Sequence, residues 1–219
     1  MKSSKRGSSQ ISNPNVNLRT IRVALFGGNK VGKSAIAKQF VYNEFDTEEE
    51  LSMIELYQRQ MVINGETLIF EILDTNQDLN SPIVEQHFTG FDGYLLVFSL
   101  LDMNSLAMIG ETRLKIRQAR NKHDNFEDVF HIPMVLIGNK KDLLGDQPIS
   151  KEILEFAESF SMPLIMTSAW TGEGIQEAFT EIMSEIDKHN GINLMDKKQK
   201  REGSLLSKKY LSRIKCNIL

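Results

Sequence analysis

One octapeptide constrains this chain more than anything else in it. Gly27-Gly28-Asn29-Lys30-Val31-Gly32-Lys33-Ser34 has the form G-x-x-x-x-G-K-S, and its flanks give it meaning. Ahead of it runs IRVALF, an apolar stretch of strand type. Behind it, SAIAKQFVYN places Ile36, Phe40 and Val41 at helical spacing. A strand, a glycine-rich turn and a helix open a strand–helix–strand unit, which commits the chain to a parallel sheet with helices on its faces. In such a turn, glycines let backbone N–H groups face an anion, and the helix N-terminus adds a positive dipole. Lys33 would reach the β- and γ-phosphates of a nucleotide, and the Ser34 hydroxyl would ligate Mg²⁺. The backbone from Gly27 through Gly32, with Ala35 one step into the helix, would line the phosphate site. A ligand-free glycine turn is the plain alternative, and the strand and helix on either side count against it.

The rest of the chain repeats the alternation. Residues 56–63 and 66–73 flank Asn64-Gly65, a dipeptide suited to a type I′ turn, which predicts an antiparallel hairpin. Apolar strands are expected at 94–100, 134–137 and 164–167, and helices at 105–122, 151–161 and 174–189. The expected fold class is α/β: six strands in a mostly parallel sheet, covered by helices on both faces. No internal repeat is visible.

Charge divides the chain into three. Its net charge of −3 hides a strong asymmetry. Residues 1–22 hold five basic residues and no acid, and residues 190–219 hold eight basic and two acidic residues. The stretch between has 13 basic and 27 acidic residues, a charge of −14. The expected organisation is a flexible basic arm at 1–20, a folded domain at 21–189 and a basic tail at 190–219. Apolar content of 41% and charged content of 25% exclude a wholly disordered chain. No run of 18 apolar residues is present, the basic N-terminus has no apolar segment behind it, and Lys2 stands where myristoylation needs glycine. A single cysteine, Cys216, fits a reducing compartment.

A phosphate loop does not choose a base. Asn139-Lys140-Lys141-Asp142 does, because it follows the strand MVLIG and so falls at the edge of the sheet where ligands bind. A carboxylate at Asp142 can accept bonds from the N1–H and exocyclic N2 amine of guanine. Adenine presents an acceptor at N1 and would be repelled. Ser168-Ala169, after the next strand, would offer a backbone N–H to guanine O6. The tetrapeptide alone would read as a charged loop; its position argues for more.

GGNKVGKS, Asp74-Thr75-Asn76-Gln77, NKKD and TSA, in that order, resemble the small GTPases. HIPMVLIGNKKDL and the terminal CNIL are similar to the Ras branch. The resemblance runs from residue 21 to about residue 189, plus the last four. It implies a six-stranded sheet with five helices, one GTP or GDP with one Mg²⁺, and hydrolysis of GTP. It also implies two switch segments that sense the γ-phosphate, with exchange factors, activating proteins and effectors as partners.

Both switches depart from the family. In the Ras pattern a Mg²⁺-ligating hydroxyl lies 19 residues after the loop lysine and 22 before the Asp of the second switch. Both counts reach Ser52, where the family usually has Thr; Thr47 breaks both. Phe45 falls where the family packs a ring on the guanine edge, or it is a core aromatic. Glu48-Glu49-Glu50-Leu51 replaces the usual effector residues, so ordinary Ras partners are not expected. Asp74 would hold a Mg²⁺-bound water. Read without gaps, Asp78 takes the place of the catalytic glutamine. With one deletion, Asn76 stands for the family's Ala-Gly pair and Gln77 becomes the water-orienting glutamine. The second alignment is preferred because it restores the spacing to Gly93. Asn29 replaces a glycine beside the γ-phosphate, where a side chain crowds both Gln77 and any arginine finger. Slow hydrolysis and a poor response to ordinary Ras activators are expected. Trp170 replaces a lysine after Ser-Ala, either stacking near the base or covering an edge.

Cys216-Asn217-Ile218-Leu219 fits a prenylation box, with terminal Leu favouring geranylgeranyl. One lipid anchors weakly. Eight Lys and Arg residues between 197 and 215 would add about 1 kcal/mol each at an anionic leaflet. The expected location is the cytoplasmic face of a membrane, with the plasma membrane favoured. Nucleic acid is not an expected partner, since only Tyr210 interleaves the basic residues. Three function classes follow: a membrane-anchored GTP/GDP signalling switch with slow hydrolysis, preferred; a non-cycling guanine-nucleotide-binding scaffold on the same fold; and a phosphate-loop kinase or ATPase, disfavoured by NKKD.

Overall fold

A computed structural model describes residues 18–46, 54–63, 66–75, 89–121, 132–145 and 147–191. Six strands form one sheet: β1 (Leu18–Gly27), β2 (Ile54–Ile63), β3 (Glu66–Thr75), β4 (Gly93–Ser99), β5 (Met134–Asn139) and β6 (Leu164–Met166). Their order is β2-β3-β1-β4-β5-β6. Only β2 and β3 run antiparallel; every other neighbouring pair is parallel. The expected α/β class and its mostly parallel sheet are observed. Ile63 pairs with Glu66, which leaves two residues between the strands, as the hairpin reading required. The turn itself, Asn64-Gly65, lies outside the described residues.

The described helices are α1 (Lys33–Tyr42), α2 (Met103–Asn121), the single turn α3 (Lys141–Leu144), α4 (Lys151–Ser159) and α5 (Ile175–His189). Polar residues start two of them. Asp102 accepts a bond from Asn104 N (3.0 Å) at the head of α2, and Ser150 accepts one from Glu152 N (3.3 Å) at the head of α4.

Strands covered on both faces need apolar residues at every position. Along β1, Val23 and Leu25 face one core while Ala24 and Phe26 face the other; along β4, Leu95 and Val97 alternate in the same way with Tyr94, Leu96 and Phe98. The first core is closed by α1 and α5. There Phe40 stacks on Phe179 (centroids 3.6 Å apart) and meets Phe70 edge-on (5.6 Å). Truncating Phe40 to Ala would cost about 3–5 kcal/mol. The second core is closed by α2, through Leu106, Ile109 and Ile116, and by α4, through Ile153 and Ala157.

Several strands run further than hydropathy indicated, β1 and β3 with the most consequence for the site. β1 takes in Leu18 to Thr20, where the pattern is partly exposed, by pairing Leu18 with Thr67, Arg19 with Leu68 and Thr20 with Ile69. Arg19 also forms an ion pair with Asp187 of α5 (2.6 Å). β3 continues through Asp74 and Thr75, polar residues that are nonetheless buried. The ends of β1, β3 and β5 therefore bring Gly27, Asp74 and Asn139 to one edge of the sheet.

Candidate functional site

The turn after β1 is built by steric exclusion. Gly27 has φ 154°, and a Cβ there would collide with the Val97 carbonyl of β4. Gly32, at φ 98°, caps α1, and a Cβ there would collide with the Asn139 amide. Between them Lys30 adopts φ 59°, an uncommon conformation for a residue with a side chain. Gly28 and Val31 are buried, Gly32, Ser34 and Ala35 are half-buried, and Asn29 and Lys30 are exposed.

Lys33 is 4% exposed and its ammonium donates to the Gly27 carbonyl (3.1 Å) and the Gly28 carbonyl (2.9 Å). Burial pulls its pKa below the usual lysine value, and the Asp74 carboxylate opposes that shift. Asp74 is 2% exposed. Burial pushes its pKa up, while the Ser34 hydroxyl, hydrogen-bonded to it, and the Lys33 charge pull it down. Asp74 Oδ1 is buried without a hydrogen-bond partner among the described residues. Next to it, the Thr75 hydroxyl donates to the Leu25 carbonyl (2.6 Å) and fixes the end of β3 against β1.

An orphaned, buried carboxylate oxygen beside a hydroxyl is hard oxygen chemistry that fits Mg²⁺, which takes one or two protein oxygens and completes its shell with phosphates and water. Ser52, the other proposed hydroxyl, lies outside the described residues, as do Gln77, Asn76, Thr47 and Asp78.

The base side is organised by Asn139, 2% exposed at the end of β5. Its Nδ2 donates to the Val31 carbonyl in the phosphate loop (2.9 Å). Its Oδ1 accepts from the Thr167 hydroxyl (3.1 Å) and the Ala169 backbone N–H (3.2 Å). One side chain thus ties the phosphate loop to the loop after β6. Lys140 follows in the left-handed region (φ 68°) and starts the single turn that carries Asp142. Asp142 is exposed, and its Oδ1 accepts from the Ser168 hydroxyl (2.6 Å). Ser168 Oγ in turn accepts from Thr171 N (3.1 Å). Lys141 forms an ion pair with Glu173.

Phe45 belongs to neither core; it is 38% exposed and meets the Trp170 ring edge-on, at 5.1 Å and 84°. Gln39, inside α1, bridges the same two segments. With its amide nitrogen toward the acceptors it donates to the Ala169 carbonyl (3.2 Å) and the Glu44 carbonyl (3.1 Å). Sequence reasoning assigned Asn139 to the nucleotide and missed its role as a tie; a polar residue ending a fully apolar strand was the available signal. Nothing in the sequence marked Gln39.

The described residues thus bring the glycine turn, Asp74-Thr75, NKKD and the Thr167–Ala169 segment to one sheet edge, and the rest of the second-switch motif, the Cys216 box and the basic tail lie outside them. No helix among the described residues is long and apolar enough to cross a membrane. The Ras family model matches residues 22–188, from β1 to the last turn of α5. With that match over most of its length, the chain belongs to the Ras family, the small GTPases that bind GTP or GDP with Mg²⁺, hydrolyse GTP and act as switches through regulators and effectors.

Proposed function

We propose that this chain is a slowly hydrolysing GTP/GDP switch held at an anionic membrane by its basic tail and a prenyl group on Cys216. The observation that carries the reading is a single edge of the sheet holding two kinds of chemistry. The buried Lys33–Ser34–Asp74 cluster suits a charged phosphate and cation, and the exposed Asp142 carboxylate, steadied by Ser168, suits a donor-rich base.

In this reading the loop N–H groups and the Lys33 ammonium hold the phosphates, and Lys33 exchanges its two carbonyl contacts for phosphate oxygens. Ser34 and Ser52 would supply hydroxyls to Mg²⁺ and Asp74 would hold a water on it; the cation, when bound, would offset negative charge on the phosphates. Asp142 accepts the guanine N1–H and N2 amine, and the Ala169 region faces O6. Phe45 covers the base edge. Gln77 orients the attacking water, while exposed Asn29 crowds that water's position and slows the step.

The test is to release and identify the bound nucleotide, then to follow single-turnover hydrolysis. Guanine nucleotide should be recovered, and hydrolysis should run below the ~3–5 × 10⁻⁴ s⁻¹ intrinsic rate of Ras. Gln77→Leu should lower it by at least about tenfold. An unchanged rate would overturn the alignment that makes Gln77 catalytic. Tight GTP binding with no turnover at all would favour the non-cycling scaffold. Membrane retention of Cys216→Ser would sink the lipid anchor.

A further inference from the structure

We infer that Trp170 is a positioning residue that governs how long the nucleotide stays bound, by latching the segment after α1 onto the loop after β6. The inference rests on the guanine-nucleotide reading above and goes beyond it, because it assigns a role to a residue that departs from the family pattern.

Three observations carry it. The first is the ring pair. Phe45 and Trp170 come from segments 125 residues apart and meet edge-to-face, the favoured geometry for an aromatic pair. Second, the contact is a surface contact: Trp170 is 62% exposed and Phe45 38% exposed, and neither ring belongs to a core cluster. Such a pair contributes little to holding the domain together. Its effect is local, on the position of residues 43–46 relative to residues 168–172. Third, the Gln39 side chain reaches the same two segments: with its amide nitrogen turned toward the acceptors it donates to the Glu44 and Ala169 carbonyls. Gln39 and the ring pair thus act on the same two segments.

Trp170 directly follows Ser168, whose hydroxyl donates to Asp142, and Ala169, whose N–H donates to Asn139. In this inference a base held by Asp142 sits beside the segment that carries Trp170, and its release requires the Phe45 ring to move. The lysine usual at this position has a flexible stem that cannot brace the Phe45 ring in one geometry. An indole can, because only two torsions set its direction. The expected consequence is slow nucleotide release.

The experiment follows dissociation of an N-methylanthraniloyl derivative of GDP from the full chain, chased with excess GDP. Trp170→Ala should speed release about fivefold to tenfold, Trp170→Lys should do nearly the same, and Trp170→Phe should restore most of the slow rate. Phe45→Ala should also speed release, and the double variant should be no faster than Phe45→Ala alone, since the indole acts through that ring. Melting temperatures should stay together across the Trp170 set, because the ring is exposed. Release from Trp170→Ala within twofold of the parent, or fully additive effects in the double variant, would overturn the latch. A parent chain that binds no guanine nucleotide would overturn the functional reading itself, which is a separate and visible result. As the sole tryptophan, Trp170 also gives the parent a direct signal: its emission should change when GDP is displaced.

Discussion

The two halves of the site are stabilised in opposite ways. On the base side, Asn139 accepts from Thr167 and Ala169, all neutral groups, and the carboxylate, Asp142, sits in solvent with the Ser168 hydroxyl donating to it. On the phosphate side, an ammonium and a carboxylate are buried together. Burial drives Lys33 and Asp74 each toward its neutral form, and one carboxylate oxygen is left over. Buried charges of this kind are costly unless fully paired. In the proposed function, a base half that needs nothing would be preorganised to read which nucleotide is present, and a phosphate half with an unpaired buried carboxylate oxygen would be relieved by phosphate and cation, so that its stability would depend on what is bound. Asn139 joins the two through the Val31 carbonyl.

The largest expected effect tests the base half. Asp142→Asn removes a charged acceptor that would take two bonds from guanine. At about 1.5–3 kcal/mol per bond to a charged group, GDP affinity should fall about a hundredfold to ten-thousandfold. Xanthine nucleotides, with a carbonyl in place of the N2 amine, should gain, because the new amide can donate to it. Competition binding checks both. Since Asp142 is exposed, melting of the nucleotide-free chain should move little; a large drop would mean the base half is not the independent unit described here.

Asn139→Ala tests the joint. It removes bonds to Val31, Thr167 and Ala169, each contributing about 1 kcal/mol, so a loss of about 2–3 kcal/mol is expected in chemical denaturation. Affinity for inorganic triphosphate and preference for guanine over inosine nucleotides should weaken together. Loss of only one would show that the halves act separately.

What could be read from the sequence follows the same division. Apolar alternation and the glycine turn marked β1, β4, β5 and α1, because burial on both faces leaves a continuous hydrophobic run. The first three residues of β1 escaped notice because their side chains are partly exposed and only backbone pairing to β3 makes them a strand. Asp74 and Thr75 were placed after β3 because they are polar; Thr75 stays in the strand by bonding the Leu25 carbonyl, a contact 50 residues away in the chain. Motif spacing singled out Lys33, Ser34 and Asp142, which the fold places along the same sheet edge. It could not reveal Asn139 as a tie, Gln39 as a bridge or the Phe45–Trp170 pair, because each depends on segments that only the folded sheet brings together.

The smallest effect separates state from identity most cleanly. Asn29 is exposed in the phosphate loop, outside both cores, so Asn29→Gly should change stability by less than about 0.5 kcal/mol. It should also leave GDP affinity within about twofold, since the base half is untouched. Its one expected consequence is on rate. If the side chain crowds the attacking water, removing it should raise single-turnover hydrolysis about tenfold, the equivalent of about 1.4 kcal/mol of barrier. A faster variant with unchanged affinity would place the slowness in the phosphate half alone. An unchanged rate would move the proposed cause to the second switch, where the preferred alignment sets Asn76 against two residues of the family pattern, and Asn29 would then be a tolerated surface residue.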